Sequence, residues 1–176
     1  MIRPGSLLWQ YLSPTQKQLA IDGQLLVDDW HDHHIEELSD YSYLVFPFAK
    51  LYEGFLKQLL RDLDVISERE YQGAHFRVGK VLSPNLVRRL GGRSAYGVMS
   101  KRYGQTLADL IWDTWKQGRN LVFHYFPHNV RRLSFIEANE RITGIITCME
   151  VVVDTIRPRK KHEKVMLAEG IESGVS

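Results

Sequence analysis

The chain of 176 residues has a formal net charge of +2, and 44% of its residues are hydrophobic and 11% are aromatic. This size and composition fit one domain with a sizeable core, and they exclude wholesale disorder. No apolar run approaches the roughly 20 residues that span a bilayer. The first residues lack a signal-peptide pattern, so we expect a soluble, cytoplasmic protein with no membrane partner. Cys148 is the single cysteine, which excludes an internal disulfide and predicts a core-packing role.

Charge is segregated along the chain. Such segregation is typical of a surface that binds a polyanion. It fits equally well two stretches that neutralise each other across the fold or across a dimer. Residues 71–108 contain no acidic residue and seven basic ones, namely Arg77, Lys80, Arg88, Arg89, Arg93, Lys101 and Arg102. Residues 18–49 contain no Lys or Arg and seven acidic residues, namely Asp22, Asp28, Asp29, Asp32, Glu36, Glu37 and Asp40.

The first half of the chain predicts two long helices. A Ser-Pro pair at residues 13–14 is a helix-start pattern, and we expect this helix to reach about Trp30. The second helix spans about 40–63 with Pro47 in its first turns. Its apolar residues recur at steps of three and four and predict one buried face. They are Leu44, Phe48, Leu51, Phe55 and Leu59.

The middle of the chain gives weaker signals. A Ser-Pro pair at residues 83–84 predicts a short helix to Leu90. Residues 91–104, GGRSAYGVMSKRYG, place four glycines among basic and aromatic residues. This composition is typical of a flexible loop or an irregular extended segment.

Two further helices follow. One begins at Thr106, and Pro127 must end or kink it, because proline cannot occupy a helix interior. The other begins at Ser134, which forms a capping-box pattern with Glu137, and runs to about Val153. The apolar stripes are Leu107, Ile111, Thr114, Gly118, Leu121 and Tyr125 in the first of these helices and Phe135, Ala138, Ile142, Ile145, Met149 and Val152 in the second.

These patterns predict an all-α fold, an antiparallel helical bundle of four to five helices within residues 1–156. No alternation of apolar and polar residues is long enough to predict a sheet. Residues 157–176 are charged and then rich in small residues, and we expect a flexible tail there.

The segment 118–126, GRNLVFHYF, places two polar groups on the shoulders of an apolar run. Arg119 and His124 are five residues apart, so a regular helix would separate their side chains by about 140°. One helix face does not bring them together. Either Gly118 breaks the helix so that the motif straddles its start, or a second copy of the chain supplies a facing pair across a two-fold axis.

With the polar residue Asn120 after the arginine, Arg119-x4-His124 resembles the R-x4–6-H signature of the HEPN superfamily of helical-bundle ribonucleases. The resemblance covers roughly residues 40–153 and includes an earlier long helix that carries Glu53 and a closing amphipathic helix. Within the superfamily the chain is most similar to the catalytic domain of RNase LS-type toxins, in which an upstream Glu accompanies the motif. The additional N-terminal domains of those toxins have no counterpart in this sequence, so their regulation is not carried over.

The resemblance implies an HEPN-like fold and a metal-independent endoribonuclease without a cofactor. RNA carries its own nucleophile, the 2′-hydroxyl, so the enzyme has only to transfer protons and stabilise charge at phosphorus. His124 is then the general base or acid, because histidine titrates close to neutral pH, and Arg119 binds the phosphoryl oxygens. Glu53 orients one of these two or shares the proton transfers, and Asn120 binds phosphate or fixes the arginine.

The acid-free stretch is the predicted RNA-binding surface. Tyr96 and Tyr103 offer stacking surfaces for bases. A surface loop without a ligand is the alternative. The predicted phosphate contacts are Arg88, Arg89, Arg93, Lys101 and Arg102.

Each candidate also has a purely structural interpretation. Arg119 and His124 can be a surface cap and a boundary histidine. Glu53 can pair with Lys57 four residues later. Residues 31–34, HDHH, suggest a metal ligand set, but no further ligands go with them, so we interpret them as a solvated helix end and predict no metal site.

Three classes of function follow. The first is a metal-independent endoribonuclease, a dimeric toxin or defence effector with RNA as substrate and an antitoxin protein as partner. The second is a non-catalytic HEPN module that binds RNA or nucleotide or partners a nucleotidyltransferase. The third is a helical scaffold without a site. A neighbouring antitoxin gene would favour the first class, and a neighbouring nucleotidyltransferase gene would favour the second.

Overall fold

The structure is a computed structural model and describes residues 1–33, 38–124 and 127–157. Within these residues it contains nine α-helices and no strand, which confirms the predicted all-α fold. Five of these helices span nine residues or more. The helices are α1 (Leu7–Tyr11), α2 (Pro14–His33), α3 (Ser42–Asp62), α4 (Glu68–Gln72), α5 (Val78–Leu82), α6 (Val87–Leu90), α7 (Ala95–Tyr103), α8 (Gln105–Trp115) and α9 (Phe135–Ile156).

Helix α3 lies in the middle of the core. All five residues of its predicted apolar stripe are at most 1% exposed, which confirms the predicted buried face. Pro47 lies within the first two turns of the helix, as predicted, and is itself buried. Fourteen of the 21 residues of α3 are buried, and the narrow strip that stays partly or fully exposed includes Phe46, Lys50, Glu53 and Lys57.

Helix α2 packs against α3 in the antiparallel direction. Gln16, near the start of α2, lies beside Gly54. Gly23, two turns later, lies beside Phe48, which comes earlier in α3. A Cβ atom at Gly23 would lie 2.7 Å from Cε2 of the Phe48 ring. The glycine therefore permits the close approach of the two helices.

Asp40 joins the start of α3 to the segment before α9. Its Oδ1 accepts hydrogen bonds from the backbone N–H of Ser42 at 2.9 Å and of Leu133 at 3.2 Å. Its Oδ2 accepts a hydrogen bond from the Asn129 side chain at 3.0 Å. Partial burial acts to raise the pKa of Asp40, but these hydrogen bonds outweigh it and hold the pKa below its usual range. The carboxylate thus fixes the starts of two long helices side by side.

Helix α8 runs antiparallel to α9, because Leu110 lies beside Cys148 and the later Gly118 lies beside Ile145. Cys148 is fully buried, with its Sγ 3.4 Å from the Tyr52 hydroxyl oxygen. Burial raises the pKa of the Cys148 thiol. The predicted core-packing role of this cysteine is confirmed.

The prediction of a loop at residues 91–104 is wrong. After a 3-10 turn at Gly91–Arg93, helix α7 begins behind Ser94, whose hydroxyl accepts a hydrogen bond from the N–H of Gly97 at 3.0 Å. Gly104, with φ at +96°, separates α7 from α8. The composition misled the prediction because glycine also serves at helix boundaries that need a positive φ.

No helix in the described part of the chain is both long enough and apolar enough to cross a membrane. Helix α9 ends at Ile156 and is capped by Arg157 in the left-handed conformation. Apart from Arg157, the predicted flexible tail lies outside the described residues.

Candidate active site

Helix α8 ends in one π turn, Lys116–Asn120. Gly118 is buried in this turn against Ile145 of α9, where a Cβ atom would lie 2.8 Å from Cγ1. The helix predicted for 106–127 is therefore too long, because the chain leaves the α-helical path at Trp115. The motif straddles the end of a helix, and the predicted break at a helix start is wrong.

The π turn directs Arg119 toward α3. Its Nε lies 3.3 Å and its Nη2 3.2 Å from the same carboxylate oxygen, Oε2 of Glu53. The guanidinium carbon also lies 5.3 Å from the centre of the Trp115 ring, which supports it from another side. Both side chains of the ion pair remain about one-third exposed, at 38% and 32%. Nη1 takes no part in the pair.

The alternative partner of Glu53, Lys57, makes a different contact. Its Nζ lies over the Phe76 ring, 5.9 Å from the ring centre. The ion pair of Glu53 is therefore a link between α3 and the π turn, 66 residues apart in sequence. Such a long-range pair fixes the guanidinium relative to the core, which a pair within one helix does not do.

The second half of the motif is joined by Asn120. Its Oδ1 lies 3.2 Å from Nε2 of His124, and His124 is exposed. An amide oxygen only accepts hydrogen bonds, so in this arrangement Nε2 carries the hydrogen and donates it. The neutral ring then presents Nδ1 as a proton acceptor. Asn120 thus selects the tautomer of His124.

The site consists of two pairs, Glu53 with Arg119 and Asn120 with His124. The two pairs are linked through Arg119 and Asn120, which are consecutive residues. Residues 121–124 form a turn, so His124 returns toward Asn120 within a single chain. On a continuous helix the motif residues would lie on separate edges. The π turn and the turn after it give each motif residue a partner, a carboxylate for the guanidinium and an amide for the imidazole.

An exposed aromatic pair lies beside this surface. Phe123 and Phe46 meet edge to face with 5.7 Å between ring centres, and they are 40% and 54% exposed. Phe46 lies off the apolar stripe of α3, so the periodicity of the sequence did not point to it. The one signal in the sequence was a large aromatic residue at a position outside the buried stripe.

The predicted RNA-binding residues lie elsewhere, on α6, the turn after it and α7. Within the described residues, no hydrogen bond or ion pair connects them to the Arg119–His124 segment. Arg93 forms an ion pair with Glu70, and Arg102 donates to the carbonyl of Leu63 at 3.0 Å. Two of the five predicted phosphate contacts therefore already have partners in the fold.

The acidic and basic stretches show no direct pairing among the residues that the structure describes. In the ranges that the structure covers, none of the seven basic side chains of residues 71–108 forms an ion pair with a carboxylate of residues 18–49. Neutralisation of one stretch by the other across the fold therefore has no ion pair to support it there.

Among the described residues, no group of three or more His, Cys, Asp or Glu side chains is placed to hold a metal ion. His34 and the side chains of His31 and His33, from the HDHH run, lie outside the described residues.

Comparisons with protein-family models, with curated proteins and with solved structures gave no match to this chain. The interpretation of the site therefore depends on its geometry and on the resemblance of its motif. The geometry pairs four of the residues that the motif and its upstream Glu single out.

Proposed function

We propose that this chain is a metal-independent endoribonuclease of the HEPN type, with an HEPN-like bundle and its active site at the end of α8. One observation carries the proposal: Arg119 and His124 of the motif both have a polar partner, Glu53 and Asn120, and both remain accessible to solvent. An electropositive group beside a proton acceptor is what cleavage of RNA by its own 2′-hydroxyl requires.

The proposed reaction is an internal transesterification. The 2′-oxygen forms a bond to phosphorus while the bond from phosphorus to the 5′-oxygen breaks. A base takes the proton of the 2′-hydroxyl, and an acid or water gives a proton to the departing 5′-oxygen. The products are one fragment with a 2′,3′-cyclic phosphate and one with a 5′-hydroxyl, and no water or metal ion is consumed.

His124 is the proton-transfer residue in this proposal. Nδ1 is the available acceptor of the neutral ring, because Nε2 donates to Asn120. The exposure of the imidazole lets an RNA strand approach it directly. A positioned imidazole contributes on the order of 10²–10⁴-fold to such reactions.

Arg119 stabilises the charge that grows on the phosphoryl oxygens. Guanidinium donors suit this role because they bind anionic oxygens in a fixed, planar geometry. Glu53 holds the guanidinium through Nε and Nη2 and so acts as a positioning residue. The Trp115 ring restricts the same group from another side.

A second copy of the chain completes the proposal. The site of one chain contains one imidazole, and a facing copy would supply a second for the acid step. The exposed Phe46–Phe123 pair beside His124 is an apolar surface suited to such a contact. The resemblance to RNase LS-type toxins extends the proposal to a cytoplasmic toxin or defence effector held inactive by an antitoxin protein.

The test is incubation of wild type and His124→Ala with total RNA in the presence of EDTA. We expect cleavage by wild type alone, with 2′,3′-cyclic phosphate ends. If neither protein cleaves RNA but both bind it, the non-catalytic binding module replaces this proposal.

A further inference from the structure

We propose that a groove between the π turn and the start of α9 binds the phosphates of single-stranded RNA next to the cleavage site. We call it the α9 groove. It has a volume of about 490 Å³, and its basic lining residues are Lys116, Arg131, Arg132 and Arg141. The inference rests on the proposed function, because it gives the path of the same RNA strand.

The groove is strongly cationic. It contains four basic side chains and one acidic side chain, Glu137. The carboxylate of Glu137 accepts hydrogen bonds from the backbone N–H of Ser134 at 2.8 Å and from the Ser134 hydroxyl at 2.7 Å. This acid therefore serves as the capping box of α9 and leaves an excess of positive charge in the groove.

Two cations of the groove are open to a ligand. Lys116 and Arg132 are exposed and form no ion pair within the part of the chain that the structure describes. Arg141 lies close enough to the capping carboxylate of Glu137 to help lower the pKa of that group. Like charges that line a concave surface concentrate its field and attract anions to it.

The groove is continuous with the candidate active site. Lys116 lies in the same π turn as Arg119. Leu121 and Val122, which line the groove, are the residues between Asn120 and the His124 turn. One wall of the groove is therefore formed by the motif itself. A strand with its reactive phosphate at Arg119 enters the groove with its next phosphates.

The occupant follows from this chemistry. Lys and Arg contact phosphates without reading the base sequence, so the α9 groove binds the backbone of any single strand. The acid-free stretch is a weaker candidate, because Arg93 and Arg102 already bind groups of the protein. An acidic protein surface is the competing occupant.

The test measures binding without cleavage. The probe is a fluorescein-labelled 2′-O-methyl RNA, which lacks the nucleophile and stays intact. The variant is Lys116→Gln/Arg132→Gln, whose side chains are exposed and form no ion pair with any other described residue. Arg3→Gln/Lys17→Gln, in the N-terminal segment, is the control with the same loss of charge. Arg141→Gln is a second, single variant, and circular dichroism verifies that each protein is folded.

We expect the affinity of the groove double variant to fall on the order of tenfold at about 0.1 M salt. The slope of log affinity against log salt should flatten by about 1.4, since each phosphate contact on a single strand contributes about 0.7. Arg141→Gln should flatten it by about half as much, and the control should match wild type. The inference would be overturned if the groove double variant had the same affinity and the same salt slope as the control variant.

Failure of the groove and failure of the proposed function give different results. If wild type cleaves RNA and the groove variant binds RNA as tightly as wild type does, the inference about the groove is wrong and the proposed function stands. If the groove variant loses affinity for RNA and wild type does not cleave RNA, the inference about the groove stands and the ribonuclease proposal is wrong.

Discussion

Glu53 is the residue at which the two interpretations of the site differ most. A surface carboxylate would pair along its own helix with Lys57. In the structure it holds Arg119 through two nitrogens, with 3.2 and 3.3 Å to one oxygen. An ion pair this exposed contributes little to stability. We therefore expect its role to be the orientation of the guanidinium.

We therefore expect Glu53→Gln to lower kcat on the order of 10²-fold and to leave the free energy of unfolding close to that of wild type. The pH dependence of cleavage should keep its shape, because a positioning residue does not transfer the proton. Cleavage rates and pH profiles measured beside Lys57→Gln, the matched control one turn away, verify this. Activity of Glu53→Gln within a few-fold of wild type would reduce Glu53 to a surface contact.

At the scale of the element, the π turn at Lys116–Asn120 decides where the motif lies. Gly118 lets the turn approach α9, because a Cβ atom there would meet Ile145 at 2.8 and 2.9 Å. The Ile145 side chain leaves no room for even one methyl group at Gly118 unless it shifts.

Gly118→Ala should lower the free energy of unfolding by about 1–3 kcal/mol through overpacking. Gly144→Ala in α9 is the control, since a Cβ atom there meets nothing within 4 Å. That control should be neutral or stabilising by up to about 1 kcal/mol. Urea unfolding measures the free energy of unfolding of both variants. The decrease caused by Gly118→Ala should be smaller when Ile145 is also replaced by alanine. Equal effects of the two alanines would show that the tight contact is absent.

A second element-scale prediction concerns the Asp40 clamp. Asp40→Ala should lower the free energy of unfolding by about 1–2 kcal/mol at neutral pH, because four backbone or side-chain donors, the Ser42 hydroxyl among them, lose their acceptor. The pKa of Asp40 is lower in the folded chain than in the unfolded one. Its stabilisation is therefore complete above the unfolded value and is lost as the pH falls through the folded value.

The difference between wild type and Asp40→Ala should accordingly narrow below about pH 4. Urea unfolding at several pH values, with the exposed Asp154→Ala as control, measures it. A difference that stays constant or widens in acid would contradict the clamp.

The elements show what the sequence can predict. Periodicity located α3 and α9, because one face of each is buried along its whole length. It failed at the end of α8, where the cause is a contact between Gly118 and Ile145, 27 residues apart and invisible to a local pattern. Similarly, the α9 groove joins Lys116 of the π turn to Arg131 and Arg132 before α9. These residues are separated in sequence, so a local pattern could not predict the groove. The motif residues were found by resemblance, and their pairing required the fold.

At the scale of the whole molecule, the motif lies on the surface beside exposed aromatic residues. Phe46, at 54% exposure, and Phe123 lie next to His124. An apolar surface that borders a polar site is typical of a protein contact. The proposed contact is a second copy of the chain.

We expect wild type to sediment as a dimer at high micromolar concentration and Phe46→Glu to sediment as a monomer, because a charge in an apolar interface remains unpaired. Leu25→Glu on α2, which is 61% exposed in wild type, is the matched control and should remain dimeric. A wild-type protein that is strictly monomeric at these concentrations would remove the composite site from the proposal.

The most direct measurement is the cleavage of RNA in EDTA by wild type, His124→Ala and Arg119→Ala, with the fold of each verified by circular dichroism. Wild type should cut RNA and leave 2′,3′-cyclic phosphate and 5′-hydroxyl ends. His124→Ala should lose on the order of 10²–10⁴-fold and Arg119→Ala on the order of 10²–10³-fold in rate, while both stay folded because neither side chain belongs to the core. Cleavage by His124→Ala as fast as by wild type would contradict the account, whatever RNA is used.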